Sequence, residues 1–151
     1  MNLESLLSAL EGYISKLDET NEEVSKVNVG WQIDHSLNVI SSICKTVQAS
    51  DPERYDASFN LKRNLLLMIG VFPRGKAKAP KVTLPVGEIT KEGLHKKLEK
   101  VRSDIPKIQS LHRNAYFYHP IFKKLNLKQT QRFMAVHTNH HLKIIKDIVK
   151  A

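Results

Sequence analysis

The stretch Asn126 to Lys150, NLKQTQRFMAVHTNHHLKIIKDIVK, contains no Gly or Pro. It predicts one uninterrupted helix of about 24 residues, the longest element the chain can form. Asn126 is a plausible N-cap, and Gln129 stands three residues on, the spacing of a capping box. At about 100° per residue, Phe133, Met134, Ile144, Ile145 and Ile148 share a broad apolar face. His137 and His141 fall within roughly 20° of its centre and His140 about 80° off it. Two imidazoles one turn apart on a core-facing stripe can meet on one metal ion, as His-x-x-x-His does in helical metal sites. This helix therefore points to an all-α fold built to present a metal site.

Composition sets the frame around it. With 151 residues, 41% of them hydrophobic and 26% charged, the chain is expected to be one globular domain with a real core. No run approaches the roughly 20 apolar residues of a membrane span, so no membrane partner is expected. The N-terminal MNLESLLSALEGY lacks a basic region followed by an apolar run and reads as a first helix, not a signal peptide. Cys44 is the only cysteine, which excludes an intrachain disulfide and makes a cytoplasmic location the default. A net charge of +9 invites a nucleic-acid reading, but the lysines are spread along the whole chain. The densest cluster, Arg74 to Lys81, is a Gly- and Pro-marked loop without any nucleic-acid-binding pattern.

Taken in order, residues 3–18 carry Leu3, Leu6, Leu7, Leu10, Ile14 and Leu17, an amphipathic helix. After a polar connection, a second helix runs from about Trp31 to Gln48, its seam formed by Ile33, Leu37, Ile40, Cys44 and Val47. Phe59 to Phe72 predicts a shorter helix ended by Gly70 and Pro73. Residues 73–88 form a long loop, and Thr90 opens a third long helix to about Leu111, which Pro106 should kink. The aromatic stretch from Asn114 to Phe122 must turn the chain, and no β-hairpin signal occurs anywhere. Four long helices and one extra short one indicate an antiparallel four-helix bundle, with room for a crossover across 49–89.

His35 is the best third ligand, although it lies well over 100° from the centre of the second helix's apolar seam, beside Trp31 and Ser42. His119 either lines a site or braces the turn before Pro120. His140 is either a second-layer donor and proton shuttle or an exposed helix residue. Tyr116, Phe117, Tyr118 and Phe122 read as a packing cluster, and as the pocket wall if a pocket exists. His95 and His112 read as surface residues, and Cys44 as a buried apolar filler. The zincin pattern places a Glu after its first histidine; here the helix reads His137-Thr-Asn-His-His141, which argues against peptide hydrolysis of that type.

Trp31-x-x-x-His35-x-Leu37, His119-Pro-x-Phe122 and His137-x-x-x-His141-Leu142 together resemble the DinB/YfiT-like superfamily, in particular a branch with an HPxFG-type segment before the last helix. The resemblance covers nearly the whole chain and departs from the pattern at Lys123, where glycine is usual. It implies a four-helix bundle holding a divalent metal, nickel or zinc, on His35, His137 and His141. It also implies an enzyme in which the metal activates a small thiol against an electrophile, with a small-molecule substrate as partner. His119 and His140 are then the catalytic candidates. The alternatives are a non-catalytic metal-binding bundle with a stress-associated role, a metal-dependent hydrolase and a basic nucleic-acid binder, while self-association as a homodimer stays open. Because ligating imidazoles must be neutral, metal affinity is expected to fall as pH drops below about 6.5.

Overall fold

A computed structural model describes residues 2–75 and 79–150; Lys76 and Lys78 of the basic loop lie outside the described residues. The described chain is mostly helical, with five α-helices and one small two-stranded sheet: α1 (Leu3–Glu11), α2 (Val29–Gln48), α3 (Leu61–Ile69), α4 (Lys91–Gln109), β1 (Tyr116–His119), β2 (Lys123–Asn126) and α5 (Leu127–Lys150). Each helix begins at a side chain that accepts a free backbone N–H of the first turn. Asn2, Asn28 and Asn60 serve α1, α2 and α3, and Thr90 serves α4. At α5 the capping box forms reciprocally: Gln129 N donates to Asn126 Oδ1 at 2.9 Å, and Asn126 N to Gln129 Oε1 at 3.1 Å.

α2 packs against both α4 and α5, and α1 against α5 and α4. The α2 seam of Ile33, Leu37, Ile40, Cys44 and Val47 is fully buried, as its spacing predicts, and Leu94, Leu98, Val101 and Ile108 of α4 meet it. α4 continues through Pro106 to Gln109.

Three expectations need correction. The first helix stops at Glu11, not near residue 18, since Gly12 is a poor helix former; a single 3-10 turn, Ile14–Lys16, then returns Ile14 and Leu17 to the core. The aromatic stretch contains a β-hairpin, with Tyr116 opposite Asn126 and His119 opposite Lys123. It escaped detection because its turn has no Asn-Gly or Asp-Gly signal. The turn is held instead by the His119 ring, whose Nδ1 accepts from Ile121 N at 3.1 Å and Phe122 N at 3.2 Å. Finally, residues 73–88 are not wholly irregular, since Lys81–Thr83 form a 3-10 turn against α2.

The hairpin leaves its turn through Lys123 at φ 60°, the left-handed region that glycine enters freely. That is the position where the resembled pattern has glycine.

Candidate metal centre

The site lies where the N-terminal half of α2 faces the middle of α5. Gly30 permits the approach at one end of α2. Its N–H donates to Leu17 O at 2.7 Å, and a Cβ there would stand 3.0 Å from that oxygen and 3.2 Å from Leu17 Cβ. The next residue, Trp31, stacks on His35 one turn on, ring centroids 4.9 Å apart and planes 22° apart.

His35 is buried despite its place away from the apolar seam. The residue responsible is Thr83, whose 3-10 turn closes over that side of α2 and whose carbonyl accepts from His35 Nδ1 at 3.0 Å. His141 is held in the same way: its Nδ1 donates to Gln32 Oε1 at 2.6 Å, while Gln32 Nε2 donates to Ser25 Oγ at 3.1 Å. A carbonyl oxygen can only accept, so both Nδ1 atoms carry the proton and both Nε2 atoms keep a free lone pair.

His137 completes the group. Its Nε2 lies 3.2 Å from His141 Nε2, and one ring nitrogen from each of His35, His137 and His141 falls within 4.8 Å of the other two. Two nitrogens bound to one tetrahedral zinc at the usual bond length would be about 3.4 Å apart. The donor set therefore fits a divalent ion: three neutral imidazoles, two of them with outer nitrogens locked onto carbonyl oxygens. His137 Nδ1 is sealed from solvent and is the buried side-chain polar atom left without a partner among the described residues. Such an orphan is rare in a protein interior.

Burial keeps these rings neutral. It lowers the pKa of His137 to about 3, with His35 and His140 adding repulsion, and carries His141 further down. At His35 burial also lowers the pKa, opposed by the Thr83 carbonyl and the charge of Asp34. Searches of family models, curated proteins and solved structures found no match. The chemistry of the site has to be taken from its own atoms.

The remaining sequence candidates are placed as follows. His140 stands edge-on to His141, centroids 5.2 Å apart, but is outside the converging group. His119 braces the hairpin turn, stacks on Phe122 at 4.6 Å and packs on Phe133, and burial lowers its pKa to about 4. Phe133 in turn stacks on His137 at 5.9 Å, so a phenyl ring links His119 to the metal group. Phe117 and Phe122 join Phe72 and Phe133 in one aromatic cluster, whereas Tyr116 packs against Tyr55 and Tyr118 faces outward. His95 and His112 are exposed, and Cys44 is fully buried.

Gln32, Thr83 and Phe72 were not anticipated. Gln32 sits three residues before His35, a helical neighbour, and that spacing was a usable signal. Thr83 acts through its backbone carbonyl, 48 residues from its partner, and has no side-chain signature.

Proposed function

We propose that this chain is a divalent-metal protein of the DinB/YfiT-like type, a four-helix bundle whose ion is held by His35, His137 and His141. The observation that carries this is the pair of outer hydrogen bonds, Thr83 O to His35 and Gln32 Oε1 to His141, which leave two Nε2 lone pairs free for an ion. The left-handed Lys123 supports the resemblance, since a turn that needs positive φ explains a pattern with glycine there. Nickel and zinc both suit three imidazoles. A bound ion with an open position supplies Lewis acidity that favours loss of a thiol's proton.

We assign the protein to thiol transfer onto a small electrophile. No carboxylate lies between the ligands to act as a base, because 138–140 are Thr, Asn and His and the Thr138 hydroxyl is committed to Met134 O at 2.8 Å. Phe72, Phe122 and Phe133 form an apolar wall beside His137 and His140. His119, with Nδ1 occupied by two backbone N–H groups, has only Nε2 to offer, as a donor.

One observation favours a second reading, metal binding without catalysis. A groove of about 450 Å³ lies between α1, α4 and α5, lined by Asn2, Glu4, Arg102, Pro106 and Arg132, and a shallower one lies along Val82, Leu84 and Val86. Neither is lined by any of the three histidines: the first lies between α1, α4 and α5, and the second runs along α2 beside the Thr83 turn. Metal analysis of untagged protein, followed by thiol consumption with nickel, zinc or manganese and a panel of electrophiles, separates the two. Turnover above a His35→Ala/His141→Ala double variant supports thiol transfer. One ion per chain with equal rates in both proteins leaves the non-catalytic bundle.

A further inference from the structure

α3 buries Leu67 together with Arg63 and turns a second apolar stripe outward. Around its axis Leu61, Leu65, Met68 and Ile69 share one face, and that face points to solvent: Leu61 is 68% exposed and Met68 73%. The opposite face buries Arg63, which is only 3% exposed. Its guanidinium donates to the carbonyls of Ser58 at 2.7 Å, Phe122 at 3.3 Å and Lys124 at 3.4 Å, and Nε donates to Asn64 Oδ1 at 3.2 Å. Turning α3 over to hide its leucines would leave the Phe122 and Lys124 carbonyls without the Arg63 donors and would carry Leu67 out of the core. The apolar face is therefore held outward by the fold itself.

Neighbouring residues extend it. Phe59, 84% exposed, precedes the helix, and Ile121 of the hairpin turn lies beside its start, its carbonyl accepting from Asn60 Nδ2 at 3.2 Å. An exposed apolar area of this kind on a single chain marks a contact surface. Charge says what kind of contact. From Ala57 to Pro73 there is no Asp or Glu. Lys62 and Lys123 stand exposed at the rim with no ion pair among the described residues, and Arg132 caps the Leu67 carbonyl at 2.8 Å. The adjacent acid, Asp56, is already paired with Lys124 at 2.6 Å.

We propose that the outward face of α3 docks on an anionic phospholipid bilayer, with Leu61, Leu65, Met68 and Phe59 entering the headgroup boundary and Lys62 and Lys123 meeting lipid phosphates and carboxylates. The arrangement is that of an interfacial helix, an apolar face bordered by cations. A second copy of this chain fits poorly. A two-fold contact would press a basic rim against itself. No helix among the described residues is long and apolar enough to cross a membrane, so the contact is peripheral.

The test is flotation of the full chain with phosphatidylcholine vesicles, with and without phosphatidylserine. The chain should float with the phosphatidylserine vesicles and far less with phosphatidylcholine alone, and added salt should weaken the association. Leu65→Glu/Met68→Glu should reduce the bound fraction about tenfold or more, and Lys62→Glu/Lys123→Glu should remove the preference for phosphatidylserine. All four side chains are exposed, so both variants should keep the thermal unfolding midpoint and the metal content of the natural chain. Failure to float with phosphatidylserine vesicles overturns the proposal, as does undiminished flotation of Leu65→Glu/Met68→Glu. Light scattering that shows a dimer dissociated by the same pair overturns it in favour of a second copy.

Discussion

Gln32 contributes to the site through another residue. Its amide is pinned by Ser25 on one side and accepts from His141 Nδ1 on the other, so it sets the tautomer and ring angle of a ligand it precedes by 109 positions. Gln32→Ala should lower metal affinity about 10–100-fold, the usual cost of losing such a partner. Gln32→Glu, which keeps an acceptor there, should restore most of it; competition with a chelator measures both. Alanine at His35, His137 or His141 should empty the site by elemental analysis, whereas His140→Ala should leave it filled, because His140 lies outside the converging group. Cys44 shows the opposite case, a reactive residue type made inert. Burial in the α2 seam, reinforced by the charge of Asp104, raises its thiol pKa to about 11. A disulfide reagent should therefore leave it untouched until denaturant is added.

Among the elements, the hairpin and α5 are the most easily tested. Lys123 occupies a backbone region that costs an L-residue about 1 kcal/mol, so Lys123→Gly should stabilise the protein by up to that amount in urea unfolding. Asn126→Ala removes one half of the capping box and should cost about 1 kcal/mol. α5 was legible in the sequence because its start, length and buried face are all local properties. The α2 seam was legible for the same reason. The burial of His35 was not, because a wheel drawn on one helix cannot register a loop 48 residues away that seals its other side. The hairpin was missed for a related reason: a histidine ring does the work of the turn, and turn patterns describe backbone preference, not side-chain bracing. The outward face of α3 departs from the ordinary rule that apolar faces turn inward, because the carbonyls around Arg63 and the burial of Leu67 fix the opposite face.

For the whole molecule, the buried histidines make stability depend on pH. In the unfolded chain each imidazole titrates near 6.5, whereas in the folded protein His119 titrates at about 4 and His137 at about 3, with His35, His140 and His141 also lowered by burial. Between those limits the unfolded chain binds more protons than the folded one, so stability rises with pH across the window and is lost as pH falls below 6.5. Metal-free protein should thus keep a constant thermal midpoint above about pH 7 and lose it progressively from 6.5 toward 4. His137→Leu should flatten part of that slope by removing one of the groups responsible. The same neutrality bears on how metal binding should depend on pH. Rings that resist protonation in the folded chain do not begin to release an ion at about 6.5, and affinity should hold to a lower pH, failing together with the fold. A saturating ion adds about 2.7 kcal/mol at a hundredfold excess over its dissociation constant, because it binds the folded state alone. Melting curves at several pH values, with and without zinc, read both effects at once. A zinc-dependent rise in midpoint that persists at pH values where exposed histidines are already protonated is the expected outcome. A rise that disappears on crossing about 6.5 would mean that the ligands titrate as free imidazoles and that the ion is bound elsewhere.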